Sequence, residues 1–140
     1  SEYIGFIFQS FQLIPYLTVL ENVKLPMAVT GRSRKDQNQM AMAVIDRVGL
    51  KTRALRLPDQ LSGGEQERVA IARAIVNRPP VILADEPTGN LDSGTAQEIM
   101  ALLQGLNAEG HTIIMVTHNP EMADYATRII RVQDGRCVEE

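Results

Sequence analysis

The sequence has one cysteine, Cys137, in 140 residues, which excludes an intrachain disulfide and makes a reducing compartment, the cytoplasm, the expected setting. It also has no excess of positive charge: 14 lysines and arginines stand against 17 aspartates and glutamates, a formal net charge of -3. A basic face able to neutralise a run of phosphates is therefore lacking, and no nucleic acid is expected as a partner. The arginines are scattered along the chain, and most of them read as solvated surface. No apolar run approaches the ~20 residues that cross a bilayer, and no charged segment followed by an apolar core opens the chain. Association with a membrane would have to come through a partner. Repeats and low-complexity segments are absent too. What is there is a chain that is 44% hydrophobic, enough for one domain with its own core.

Tyr3 to Phe8 (YIGFIF) reads as a buried strand, and a chain that begins inside a strand is expected to be cut from something longer. Phe11 to Tyr16 contains Pro15 and has no period, which predicts a loop that exposes apolar groups. Thr18 and Glu21 match a capping box opening a helix from about Val19 to Val29. A second amphipathic helix is expected where Met40, Ala41, Val44, Ile45 and Val48 recur at helical spacing, stopped by Gly49. Ser62 and Glu65 form another capping box, opening a third helix to about Val76 that Pro79 and Pro80 end. Beyond the prolines the pattern changes. Val81 to Ala84 is a continuous apolar run, as expected of a parallel strand covered on both faces, Ala96 to Leu106 is a helix, and Thr112 to Val116 is a second apolar strand. Strand, helix and strand make a βαβ unit. A short helix at Asn119-Pro120, a strand from Arg128 to Val132 and a hairpin at Asp134-Gly135 follow.

Two segments carry chemistry. The run Val81-Ile82-Leu83-Ala84-Asp85-Glu86 is a buried strand ending in adjacent carboxylates, and open α/β sheets bind ligands at the carboxyl ends of their strands. A magnesium ion on a nucleotide takes one or two carboxylates, and hydrolysis needs a group to orient water, so Asp85 suits the metal and Glu86 the water. The alternative is a polar strand end with Pro87-Thr88-Gly89 as its turn. The second segment, Leu61-Ser62-Gly63-Gly64-Glu65-Gln66, stands directly before a helix. Its paired glycines let a ligand approach the backbone, and the helix start offers N–H groups and a positive dipole end to phosphate. The alternative here is an ordinary serine-capped helix with a flexible entry.

LSGGEQ, followed by Arg68-Val69-Ala70-Ile71-Ala72-Arg73-Ala74, resembles the signature motif and helix of ATP-binding-cassette (ABC) ATPases. Other elements of that family follow the same order. Gln9 resembles its Q-loop glutamine, VILADE its Walker B strand, Asn90-Leu91-Asp92 its D-loop and Thr117-His118 its switch histidine. Gln9 to Pro15 and ADEPTGNLDS from Ala84 to Ser93 are most similar to the branch of lipoprotein-releasing and macrolide-export transporters. The resemblance implies an α/β fold of the P-loop NTPase, RecA-like type, with a partial parallel sheet and an inserted α-helical subdomain. Residues 1–16 would be a strand and the Q-loop, 17–77 the helical subdomain with the signature motif, and 78–140 the rest of the core.

The same resemblance implies two subunits paired head to tail around ATP and Mg2+. Gln9, Asp85, Glu86 and His118 of one subunit would face Ser62, Gly63, Gly64 and Gln66 of the other, with Asp92 in the D-loop between them. Glu86 would act as general base or water orienter, His118 would hold the γ-phosphate, Asp85 would serve the metal, and Gln9 would be catalytic too, sensing metal or water. Phe11 to Tyr16 and the helical subdomain would meet a transmembrane permease subunit, which would hold the chain on the inner face of the cell membrane. Two family elements are missing: the G-x-x-x-x-G-K-[ST] phosphate loop and the upstream aromatic that stacks on adenine. The expectation is therefore that this chain alone binds ATP weakly or not at all and associates through unpaired sheet edges. Two alternatives stay open: an ATPase-inactive binding or regulatory module, and a soluble non-transport ATPase of the same class.

Overall fold

The computed structural model describes residues 3–139. Three parallel strands, β1 (Ile4–Ile7), β2 (Val81–Asp85) and β3 (Thr112–Val116), form a sheet in the order β1-β2-β3. Ile7 pairs with Ala84, and Ala84 with Met115. Between β1 and β2 run α1 (Val19–Lys24), α2 (Arg34–Arg47) and α3 (Gly63–Ile75), and α4 (Ser93–Ala108) connects β2 to β3. A one-turn helix α5 (Pro120–Ala123) and an antiparallel hairpin, β4 (Ile130–Gln133) with β5 (Arg136–Glu139), follow. The α/β class with an inserted helical segment is thus observed. Among the described residues no helix is long and apolar enough to cross a membrane.

Local chemistry accounts for the helix ends. Both expected capping boxes are present, Thr18 with Glu21 and Ser62 with Glu65. α2 begins at Arg34, ahead of its apolar stripe, because Ser33 caps it by accepting from Asp36 N–H at 3.1 Å. Its far end is a Schellman motif: Gly49 has φ +81, its N–H donates to Asp46 O, and Leu50 N–H donates to Ile45 O. The first helix differs from expectation. It ends at Lys24 and gives way to a 3-10 turn over Leu25–Met27, because Pro26 has no N–H and its ring collides with the carbonyl four residues back.

The strands also differ from expectation, since only one face of the sheet is covered by described residues. Ile7, Ile82 and Ala84 are buried on the helix side, where α3 lies against β1 and α4 against β3. The opposite face carries Phe6, Ile114 and Val116 at 44%, 51% and 59% exposure, and the Phe6 and Phe8 rings stack there at 6.0 Å. An unbroken apolar sequence is necessary for a doubly covered strand but does not supply the second layer. β4 likewise begins at Ile130, two residues later than expected, and β4 and β5 are exposed along their whole length. Asp134 and Gly135 have φ +50 and +76, as the expected two-residue hairpin turn requires.

One core joins the helices to the sheet. Val69, Ile71, Ile75, Ile82, Ile99, Leu103 and Leu106 are all within it, and full burial of each aliphatic side chain is worth about 1.5–3 kcal/mol. α3 approaches β1 so closely that a Cβ at Gly5 would lie 2.3 Å from the Ala74 carbonyl oxygen.

Candidate functional site

The carboxyl ends of β2 and β3 bring three of the expected residues together. Asp85 closes β2 and is exposed. Glu86 follows in the left-handed region at φ +46, a costly conformation for a residue with a Cβ, and is anchored there by Glu86 N–H donating to Val116 O at 2.8 Å. Its carboxylate turns toward the segment after β3. The His118 N–H donates to Oε1 at 2.7 Å, and the Thr117 hydroxyl to Oε2 at 3.1 Å. The His118 ring stands 2.5 Å from the same Oε1 through Nδ1, with its side chain 90% exposed. Glu86 and His118 are thus a hydrogen-bonded pair, the carboxylate shielded and the ring facing solvent. Gln9 joins them through the turn after Glu86. A Cβ at Gly89 would lie 3.2 Å from Gln9 Nε2 and 3.4 Å from Glu86 O, so the amide packs against the turn that follows Glu86.

The helix start at Ser62 is a separate cluster within this chain. The Ser62 hydroxyl accepts from Glu65 N–H at 3.1 Å, and Glu65 returns a bond to Ser62 N–H at 2.9 Å. These bonds hold the Glu65 carboxyl below its ordinary range, the backbone bond from Ser62 being the largest cause. Since the cap occupies the N–H groups of Ser62 and Glu65, the open turn presents those of Gly63 and Gly64. Gly64 packs tightly, a Cβ there lying 2.5 Å from Thr95 Cγ2 on α4. Gln66 is turned away from the open turn: its amide donates to Leu61 O at 3.3 Å. Asp92 caps α4, accepting from Thr95 N–H at 2.8 Å, which lowers its carboxyl from the usual range.

For a nucleotide's terminal phosphate and its cation, the residues present fit in part. An exposed carboxylate, a nearby amide and an exposed imidazole stand at the strand ends, and two glycine N–H groups open a helix. Among the described residues no three His, Cys, Asp or Glu side chains converge on a metal. Two clefts among the described residues lie elsewhere. One of about 420 Å³ lies at the opposite end of the sheet, beside Pro80 and His111, and one of about 480 Å³ lies on the helical side between Leu20, Met42 and Leu55.

Sequence reasoning missed three residues. Arg73, noted only as part of the signature helix, donates from Nη1 to Gln12 O at 2.8 Å and from Nη2 to Phe11 O at 2.9 Å. Asn22 is fully buried and holds Ile14, Leu17 and Thr18 through both ends of its amide. Glu67 is fully buried in α3, neither carboxyl oxygen has a partner, and burial pushes it up to about 8. The signal for Glu67 was periodicity, because it stands four residues before Ile71 on the stripe that α3 buries.

A parallel sheet with an acidic strand end, an interposed helical subdomain and a capped Gly-Gly helix start make an α/β fold consistent with the P-loop NTPase type. The chain belongs to the ABC transporter family, whose description "ABC transporter" matches residues 1–89. It is 53% identical over 135 residues to the ABC transporter ATP-binding protein YknY of Bacillus subtilis (strain 168), covering 96% of this chain and 59% of YknY. It is 51% identical over 143 residues to the macrolide export ATP-binding/permease protein MacB of Rhodopirellula baltica, covering 100% of this chain and 21% of that one. Among solved structures, the dimeric bacterial ABC transporter cassette MJ0796 matches with a TM-score of 0.85 and 49% identity, over 99% of this chain and 62% of that chain. The same cassette in a post-hydrolysis state, bound to ADP and Pi, matches with a TM-score of 0.84 and 46% identity. This chain therefore spans about three-fifths of the cassettes it matches.

Proposed function

We propose that this chain carries the hydrolytic strand ends and the signature helix of an ATP-hydrolysing subunit that powers an ABC transporter of the export or lipoprotein-releasing kind. The observation that carries the reading is the Glu86–His118 pair at the carboxyl ends of the parallel strands, beside Asp85 and Gln9. Asp85, with Gln9, serves Mg2+ on the nucleotide. Glu86, in hydrogen-bond reach of the switch segment, orients or deprotonates the attacking water, and the exposed His118 ring meets the γ-phosphate. In a head-to-tail pair the Gly63 and Gly64 N–H groups and the dipole of α3 add their partial charge to that phosphate from the second subunit. Gln66 and Asp92 support this edge through the bonds that hold the helix starts. The dimeric arrangement of the MJ0796 cassette favours such pairing.

Docking to a transmembrane permease subunit falls to the Phe11 to Tyr16 loop and the helical subdomain. Tyr16, Leu25, Val29 and Leu55 leave large apolar groups in solvent there, as a docking surface requires. Through that partner the chain is peripheral on the inner face of the membrane.

The G-x-x-x-x-G-K-[ST] loop is not among these 140 residues. Isothermal titration of the chain with Mg-ATP is therefore expected to give no saturable heat in the micromolar range, for wild type and Glu86→Gln alike. Saturable micromolar binding would overturn that expectation and move the phosphate site to the Ser62–Gly64 helix start.

A further inference from the structure

Side chains from three separate parts of the fold hold the backbone of one loop, the segment from Gln9 to Thr18 between β1 and α1. From the turn after β2, Asn90 Nδ2 donates to Gln9 O at 3.1 Å. From α3, the two Nη groups of Arg73 take the successive carbonyls of Phe11 and Gln12. From α1, Asn22 takes Ile14, Leu17 and Thr18. The Arg73 contact falls where the loop most needs support, because Gln12 is in the left-handed region at φ +53, and a non-glycine residue stays there only when its surroundings hold it.

The guanidinium suits this task better than an ammonium. Its planar fork is always charged and makes two directed bonds at once. Among the described residues Glu67 is the carboxylate acting on it, and burial raises that carboxyl, while both Nη groups are bonded to loop carbonyls. α3 is a continuous helix from Gly63 to Ile75, so Arg73 and the glycine pair are about 15 Å apart on one rigid rod.

We propose that Arg73 is a positioning residue that locks the Gln9 loop onto α3, so that the loop and the Gly63–Gly64 helix start move as one body. Its use rests on the reading above, in which the loop meets a permease and the helix start meets phosphate. A shift of the docked loop then carries the helix start with it. The lock itself needs no nucleotide, so it stands or falls separately from that reading.

The test is backbone 15N relaxation on the 140-residue chain, wild type against Arg73→Lys, which keeps the charge and loses the fork. In wild type, residues 10–13 are expected to be as ordered as α3, with order parameters near about 0.85. In Arg73→Lys they are expected to fall below about 0.6 while α3, α4 and Ile14, which Asn22 holds, keep their values. A loop that stays ordered in the variant overturns the proposal, and so does a loss of order spread evenly over α3, β1 and α4, which marks a merely structural arginine. If the variant does not fold, wild type alone decides: Arg73 guanidinium protons protected from solvent exchange support the lock, and freely exchanging ones overturn it.

Discussion

Glu67→Gln is expected to make this protein more stable at pH 7.5 by about 3–4 kcal/mol and to flatten its stability profile between pH 5 and 7.5. The side chain is fully buried, both carboxyl oxygens lack a hydrogen-bond partner, and burial, opposed in part by the Arg73 charge, raises the group from 4.5 to about 8. The raised value fixes the sign. Below pH 4.5 the carboxyl is protonated folded and unfolded, and costs nothing extra. Between about 4.5 and 8 the folded chain keeps a proton that the unfolded chain has released, so stability falls by about 1.4 kcal/mol per pH unit from this group. Glutamine is neutral throughout and nearly isosteric. The carboxylates of Glu21, Glu65, Asp92 and Glu109 are lowered instead, so their stabilisation fades only on acidification below the ordinary carboxylate range. Urea melts of both proteins at pH 5 and 7.5 check this: the gap should open with pH, and an unchanged or reversed gap contradicts the buried, unpartnered carboxyl.

Gly5→Ala is expected to cost about 3 kcal/mol or more, unusually large for one added methyl group. The new Cβ would lie 2.3 Å from the Ala74 carbonyl oxygen and 3.1 Å from Pro79 Cγ. The first neighbour is backbone of α3, which cannot swing aside like a side chain. Relief requires β1 and α3 to separate, opening the interface that buries Ile7, Ile71 and Ile75. Gly94→Ala serves as the control: the nearest neighbour of its Cβ would be Asp92 Oδ1 at 3.6 Å, ordinary contact distance. A Gly5→Ala midpoint within about 0.5 kcal/mol of wild type would mean that β1 does not pack on α3 as described.

What could be read ahead of the structure was local. A capping box needs two residues three apart, so Thr18 with Glu21 and Ser62 with Glu65 were legible, as was Gly49 after an apolar stripe. Pro26 was equally local and was passed over. The covering of the strands was not legible, since Val81 to Ala84 and Thr112 to Val116 are apolar whether or not a layer lies on the second face. The site divides the same way. Asp85 and Glu86 at a strand end and Ser62 at a helix start follow from short-range pattern, whereas the closure of His118 on Glu86 depends on strand pairing. Arg73 was hidden for the same reason: its partners Phe11 and Gln12 are 62 and 61 residues away, and nothing in an arginine's immediate sequence says whether it faces water or a carbonyl.

The central claim is that Glu86 at the end of β2 drives hydrolysis. The most direct test is ATP turnover by YknY whose 135 matched residues are replaced by this chain, with and without Glu86→Gln. The account predicts that the replaced protein hydrolyses ATP and that Glu86→Gln lowers turnover about 10²–10⁴-fold while nucleotide binding persists. A folded, ATP-binding replacement that turns over equally fast with Glu86→Gln would contradict it.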